Sequence, residues 1–144
     1  MLDAFDADAL IYAAVPGHPI GRRVRALFSV DQVPPAGPVG GIGSVLLIPE
    51  LLTKPMRDGA ETELDALTAL LSRLDLRPTD VATAQLATAL GASYRLRAAD
   101  AVHLASAVAA GADRFITNNS SDFPKTIDEI DITYPSDLPA VHGL

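Results

Sequence analysis

Acidic and amide side chains recur at four separate places in this chain, and each place lies at the end of a predicted strand or in the opening turn of a predicted helix. The residues are Asp6 and Asp8 in FDADALIYAA, Glu50 after SVLLIP, Asp100 in AADAVHLASA, and Asn118, Asn119 and Asp122 after RFIT. A carboxylate next to buried apolar residues is costly unless it has a partner. These acids therefore either face water at strand ends or hold a positive group, and the rest of the sequence favours the second interpretation.

A divalent cation is the positive group that such acids would hold. Carboxylates gathered at one place raise one another's pKa, and a bound cation relieves that repulsion. The chain has no cysteine, and its three histidines form no metal-binding motif. Oxygen ligands without thiolates or clustered imidazoles favour magnesium or manganese over zinc. Asp100 also lies in the opening turn of a predicted helix, where the helix dipole favours a negative charge.

Apolar runs alternate with helical stretches, which predicts how the acids are positioned. Strands are expected in LDAF, SVLLIP, LDLRP, RFIT and IDITYP, and helices in DALIYAA, IGRRVRALF, GAETELDALTALLSRL, TDVATAQLATALGA and RAADAVHLASAVAAGA. Thr79 or Asp80 is the expected N-cap of the fourth helix and Gly91 its stop, while Pro and Gly predict turns around residues 34–41. The pattern indicates an α/β three-layer sandwich with a mainly parallel central sheet flanked by helices. The carboxyl ends of parallel strands share one edge, so the acids are expected to meet there.

Composition limits the possible functions. The 144 residues are expected to form a single domain, residues 1–144, and the net charge is -7. This charge argues against a protein that coats nucleic acid, but not against a nuclease whose metal ligands are themselves acidic. The N-terminus has no basic leader, and no apolar run approaches about 18 residues, so a cytoplasmic protein without membrane contact is expected.

The ordered motifs FDADALIYA, LLIPELL, AADAVHLASA and FITNNSSDF resemble the PIN-domain ribonucleases. They are most similar to the VapC-like toxins of bacterial type II toxin–antitoxin pairs, and the resemblance covers the chain from about Leu2 to Leu138. It implies a PIN-like fold and Mg²⁺- or Mn²⁺-dependent hydrolysis of RNA by water. It assigns catalysis to Asp6, Glu50 and Asp100, metal binding to these with Asn119 and Asp122, and support to Asp8 and Thr117. It also implies a cognate antitoxin and a homodimer.

One position departs from the family pattern. The fourth family acid usually ends a Thr-Asn-Asp motif, but here the motif reads Thr117-Asn118-Asn119. Asn119 can ligate a metal without contributing charge, whereas Asp122 is a charged alternative. Whether one ion or two bind, and whether full activity is retained, is left open at this point.

Two other functions are open. FDADAL also fits the DxD opening of haloacid-dehalogenase-like phosphatases, with Asp6 as nucleophile and Asp8 as general acid. That pattern expects Thr or Val where Leu10 stands, and it gives Glu50 no role. The other alternative is a weakened PIN-like module that binds RNA or protein without cleaving.

Three further side chains lie near the predicted site in the sequence. Arg95 and Arg97 precede Asp100 and are candidates for binding an RNA substrate. His103 stands one helical turn after Asp100, and we expect it to be a packing or interface residue.

Overall fold

A parallel five-stranded sheet forms the centre of the computed structural model, which describes residues 1–28 and 40–141. The strands are β1 (Asp3–Phe5), β2 (Gly41–Ser44), β3 (Leu74–Arg77), β4 (Arg114–Ile116) and β5 (Asp131–Thr133). They lie in the order β3-β2-β1-β4-β5, and each neighbouring pair is parallel. The prediction of a parallel sheet is confirmed, and β1 occupies its middle.

Helices follow most of the strands. They are α1 (Ala7–Ala13), α2 (Pro19–Arg25), α3 (Leu47–Asp58), α4 (Glu61–Leu71), α5 (Val81–Tyr94) and α6 (Ala98–Ala109), with a short 3-10 helix at Pro135–Asp137. Within the described ranges, no helix is both long enough and apolar enough to cross a membrane. The turns predicted around residues 34–41 fall largely on residues 29–39, outside the described residues.

The two faces of the sheet carry separate apolar clusters because successive strand residues point to opposite sides. Ala4 and Phe115 belong to a cluster that α5 and α6 cover. Phe5 and Ile116, the next residues along the same strands, belong to a cluster that α1, α2, α3 and α4 cover. Helices thus flank the sheet on both sides, which confirms the three-layer α/β sandwich.

The second strand lies earlier in the chain than predicted. The apolar stretch SVLLIP was expected to be a strand, but β2 ends at Ser44 and α3 begins at Leu47. A short apolar run does not by itself distinguish a buried strand from a buried helix turn. Close packing explains the glycines of β2, since a Cβ on Gly41 would lie 2.3 Å from the Asp3 carbonyl oxygen.

Helix α5 begins where predicted but ends later. Asp80 is its N-cap and accepts a hydrogen bond from the Thr83 N–H at 2.8 Å. The predicted stop at Gly91 is wrong, because the helix continues to Tyr94 and ends at Arg95, whose φ of 57° is left-handed. Gly91 instead faces α6, where a Cβ would make ordinary contact at 3.5 Å with the Ala101 Cβ.

A Gly91→Ala substitution tests this helix boundary. We expect it to raise the free energy of unfolding by about 0.5–1 kcal/mol, the usual advantage of Ala over Gly inside a helix. Urea unfolding followed by circular dichroism measures the change. Gly59→Ala is the matched control, because Gly59 ends α3 with a φ of 66° and Ala should destabilise it. A loss of stability in both variants would mean that α5 ends at Gly91.

The Asp80 cap gives a pH-dependent prediction. The pKa of Asp80 lies below its ordinary value, chiefly because the carboxylate accepts the hydrogen bond from the Thr83 N–H. A carboxyl whose pKa is lowered in the folded state stabilises the fold at pH values above its unfolded pKa of about 3.9. This stabilisation is lost as the pH falls through the folded-state pKa. We therefore expect Asp80→Ala to be less stable than the wild type at pH 7, with the difference narrowing at pH 3. Asp80→Asn, which keeps the acceptor but does not titrate, should lose less at pH 7.

Candidate active site

The ends of β1 and β4 place Asp6 beside Thr117. The Asp6 N–H donates to the Ile116 carbonyl at 2.9 Å, which extends the strand pairing by one step. Asp6 is also the N-cap of α1, and its Oδ1 accepts from the Ala7 N–H at 2.9 Å. Its Oδ2 accepts from the Thr117 hydroxyl at 2.8 Å. Both side chains are buried, so the strand pairing and the capped helix fix this carboxylate in place.

Asp8 lies in the first turn of α1 and contacts the same loop. Its Oδ1 accepts from the Asn118 N–H at 3.1 Å, and the Thr117 hydroxyl lies 3.5 Å away. Burial, followed by the charge of Asp8, raises the pKa of Asp6 to about 7, although the hydrogen bond from Thr117 works in the opposite direction. Negative charge on both Asp6 and Asp8 is therefore unfavourable unless a cation is bound nearby.

Glu50 and Asp100 approach this pair from the two helical layers. Glu50 lies in the first turn of α3, and its Oε2 is 2.9 Å from Nε2 of His103 on α6. Burial, followed by the charges of Asp122 and Glu50, raises the pKa of Asp100. Burial lowers the pKa of His103, but its hydrogen bond to Glu50 and the surrounding acids outweigh this and raise it.

The side chain of Asn119 is hydrogen-bonded within its own loop, which follows β4. Its Nδ2 donates to Asp122 Oδ2 at 2.9 Å, and its Oδ1 accepts from the Ser121 hydroxyl at 3.0 Å and the Asp122 N–H at 3.1 Å. The amide of Asn119 therefore holds its own loop together. Asp122 carries the charge that acts on Asp100, which makes it the acid that this loop presents to the site.

The structure thus brings the predicted acids together at one edge of the sheet. Arg97 is the N-cap residue of α6, and its charge lowers the pKa of Asp100 against the larger effect of burial. Arg95 lies exposed at the end of α5. His103, expected to be a packing residue, is indeed buried, but it also contacts Glu50. No local sequence pattern signals that contact, because Glu50 lies 53 residues away in the chain.

The chemistry of the donors fits a hard divalent cation. Asp6, Glu50, Asp100 and Asp122 offer only oxygen ligands, and their charges oppose one another, as a magnesium or manganese site requires. Within residues 1–28 and 40–141, however, no three Asp, Glu or His side chains already stand where they could hold an ion. An ion would draw the carboxylates together by side-chain rotation, which the exposure of Asp122 allows.

Comparisons with known proteins agree with this fold. The model of the PIN domain family matches residues 4–128. A toxin–antitoxin complex from Klebsiella pneumoniae contains a chain of similar fold, with a TM-score of 0.67 and 23% identity over 94% of this chain and 98% of that chain. VapBC2 from Rickettsia felis, bound to a DNA fragment from their promoter, gives a TM-score of 0.70 and 17% identity over 93% and 98%. No curated protein sequence matches significantly.

A Thr117→Val substitution tests how Asp6 is held. It removes the hydroxyl donor from a buried carboxylate, and we expect a loss of about 1.5–3 kcal/mol in the free energy of unfolding. Thr117→Ser keeps the donor and should lose less. Both are compared with the wild type by urea unfolding in EDTA, so that metal binding does not contribute. Equal stability of the Val and Ser variants would show that the hydroxyl does not support Asp6.

Proposed function

The chain belongs to the PIN-domain family of nucleases, and we propose that it is a magnesium- or manganese-dependent endoribonuclease. We propose further that it is the toxin of a toxin–antitoxin pair and that residues 1–144 form one PIN-like domain in the cytoplasm. The observation that carries the proposal is the clustering of acids from four segments of the chain. Asp122 and Glu50 act on Asp100, and Glu50, Asp6 and Asp100 all act on His103.

Asp6, Glu50 and Asp100 hold the ion in this proposal, and Asp122 completes the set. Asp122 is favoured over Asn119 because its charge acts on Asp100, while the Asn119 amide is engaged with the loop. A bound divalent ion lowers the pKa of a bound water and stabilises charge on the phosphate during hydrolysis.

The remaining residues position the acids and the substrate. Thr117 and Asp8 fix the end of β4 against the start of α1, which keeps the Asp6 carboxylate facing its neighbours. Arg97 is exposed and its charge acts on Asp100, which supports a role for its guanidinium in binding an RNA phosphate. Arg95 lies two residues earlier and is also exposed. Both arginines stay predictions as substrate-binding residues.

The proposed antitoxin is supported by the surface of α1. An open, mainly apolar groove of about 700 Å³ runs between α1 and the turn joining α3 to α4. Ile11 and Val15 are partly exposed in it, and Glu61 and Glu63 line its other side. A partner segment with an apolar face and a basic flank would fit. Both structures of similar fold are toxin–antitoxin complexes. The homodimer stays a prediction.

The alternative functions differ in their support. The family match assigns the chain to the PIN domain, which counts against the haloacid-dehalogenase-like phosphatase. Asp8 also accepts from the Asn118 N–H and so supports the loop, whereas the phosphatase mechanism needs it as a free general acid. A PIN-like module that binds without cleaving is the rival that an experiment must decide.

Manganese binding, measured by calorimetry, tests the site without knowledge of the substrate. We expect Glu50→Gln and Asp100→Asn each to weaken Mn²⁺ affinity more than about tenfold, because each removes a ligand charge. Glu61→Gln is the matched control, since Glu61 also lies in the first turn of a helix but outside the site. It should bind like the wild type. If Glu50→Gln also bound like the wild type, Glu50 would lie outside the metal site.

The same proteins are then incubated with single-stranded RNA and Mg²⁺. We expect the wild type and Glu61→Gln to cleave, and EDTA or the Glu50→Gln substitution to abolish cleavage. Wild-type protein that binds Mn²⁺ and RNA but leaves a mixed-sequence RNA pool intact would favour the non-cleaving module.

A further inference from the structure

His103 makes one polar contact from a fully enclosed position. Its ring is 0% exposed, and Nε2 lies 2.9 Å from Glu50 Oε2. The other ring nitrogen, Nδ1, is buried and has no hydrogen-bond partner within the described ranges. Because a carboxylate only accepts hydrogen bonds, Nε2 carries the hydrogen and donates it. The contact to Glu50 is thus the polar role that the buried ring performs.

Apart from Glu50 and the charges of Asp6 and Asp100 that act on the ring, the surroundings of His103 do not call for a histidine. Its neighbours on α6, Leu104 and Ala105, are fully buried apolar residues. A buried polar atom without a partner costs free energy that an apolar side chain of similar size would avoid. Packing alone is therefore satisfied better by a residue such as leucine, and the imidazole is explained by what Nε2 holds.

The contact joins two layers of the sandwich. Glu50 lies on α3, whose buried leucines belong to the cluster on one face of the sheet, and His103 lies on α6, which covers the other face. Asp100 is on the same helix as His103, one turn earlier. The hydrogen bond therefore links Glu50 directly to the helix that carries Asp100, across the ends of the strands.

We propose that His103 is a positioning residue that fixes the Glu50 carboxylate relative to Asp100. Its Nε2–H engages one carboxylate oxygen, Oε2, and so restricts the orientation of the other, Oε1. A side chain that is 32% exposed would otherwise sample several rotamers. Partners that orient a metal-binding carboxylate in this way contribute to affinity without touching the ion. The inference rests on the proposed metal site and adds a residue to it.

The contact itself is tested by NMR without any metal. Imidazole nitrogen shifts are recorded for the ¹⁵N-labelled wild type, and His103→Gln identifies the His103 signal by its loss. We expect Glu50→Gln to shift the His103 Nε2 resonance, whereas Glu61→Gln leaves it in place. A His103 resonance unaffected by Glu50→Gln would overturn the proposal.

The positioning role is tested by Mn²⁺ calorimetry and urea unfolding on matched variants. We expect His103→Leu to weaken Mn²⁺ affinity about 10–100-fold, as the loss of a supporting partner does, while stability in EDTA falls little or rises. His103→Gln should restore most of the affinity, because its amide nitrogen reaches the place of Nε2. His103→Asn should not, because its amide is one bond too short. Ser106→Ala, another buried polar residue of α6 without a hydrogen-bond partner within the described ranges, should bind like the wild type.

The outcomes separate this inference from the proposed function. If the wild type binds no Mn²⁺, the proposed metal site fails and the positioning role fails with it. If the wild type binds Mn²⁺ and His103→Leu binds equally well, only the positioning role is overturned. If the Leu variant fails to fold, the Gln and Asn variants decide, since equal affinity in these two would also overturn the proposal.

Discussion

The parallel pairing of β1 with β4 holds the rest of this structure in place. Each strand has only three residues, and Asp3, Ala4 and Phe5 pair in order with Arg114, Phe115 and Ile116. A slip of one residue would move every side chain of a strand to the opposite face. Phe5 and Ile116 would then leave the apolar cluster under α1 to α4, so the register is set by both cores at once.

Side-chain contacts fasten both ends of this short pair. At the start, the Arg114 guanidinium donates to the two oxygens of Asp3 at 2.8 and 3.0 Å, a bidentate geometry that is among the stronger ion pairs. At the finish, the Thr117 hydroxyl donates to Asp6. The same register that buries the cores therefore delivers Asp6 to the loop that carries Asp122. The fold and the acid site depend on one set of hydrogen bonds.

The sequence predicted the features that local patterns determine. Turn residues and alternating apolar runs were enough for β3, β4, β5 and α6, and the rule for parallel sheets predicted that the acids lie at one edge. The strand β2 was missed because its glycines give no apolar pattern; they are there because neighbouring backbone approaches closely. The role of His103 was missed for another reason. Its partner Glu50 lies 53 residues away on the opposite layer, and no local spacing reports such a contact.

The acids of the site divide into two groups with different physical support. Asp6 and Asp8 receive hydrogen bonds from Ala7, Thr117 and Asn118, groups that the strand pairing and the helix start supply in any case. The fold therefore provides these two aspartates with hydrogen-bond donors at the edge of the sheet, which explains how they can interrupt an apolar run.

Glu50, Asp100 and Asp122 are more exposed, and they are supported by His103, Arg97 and Asn119. The first group is fixed when the chain folds. In the second group His103 holds Glu50, whereas Asp122 lies exposed on its loop. The site therefore combines acids that are held by hydrogen bonds with the exposed carboxylate of Asp122. That arrangement suits the proposed cation, which must first be captured and then shared with the proposed phosphate substrate from the solvent side.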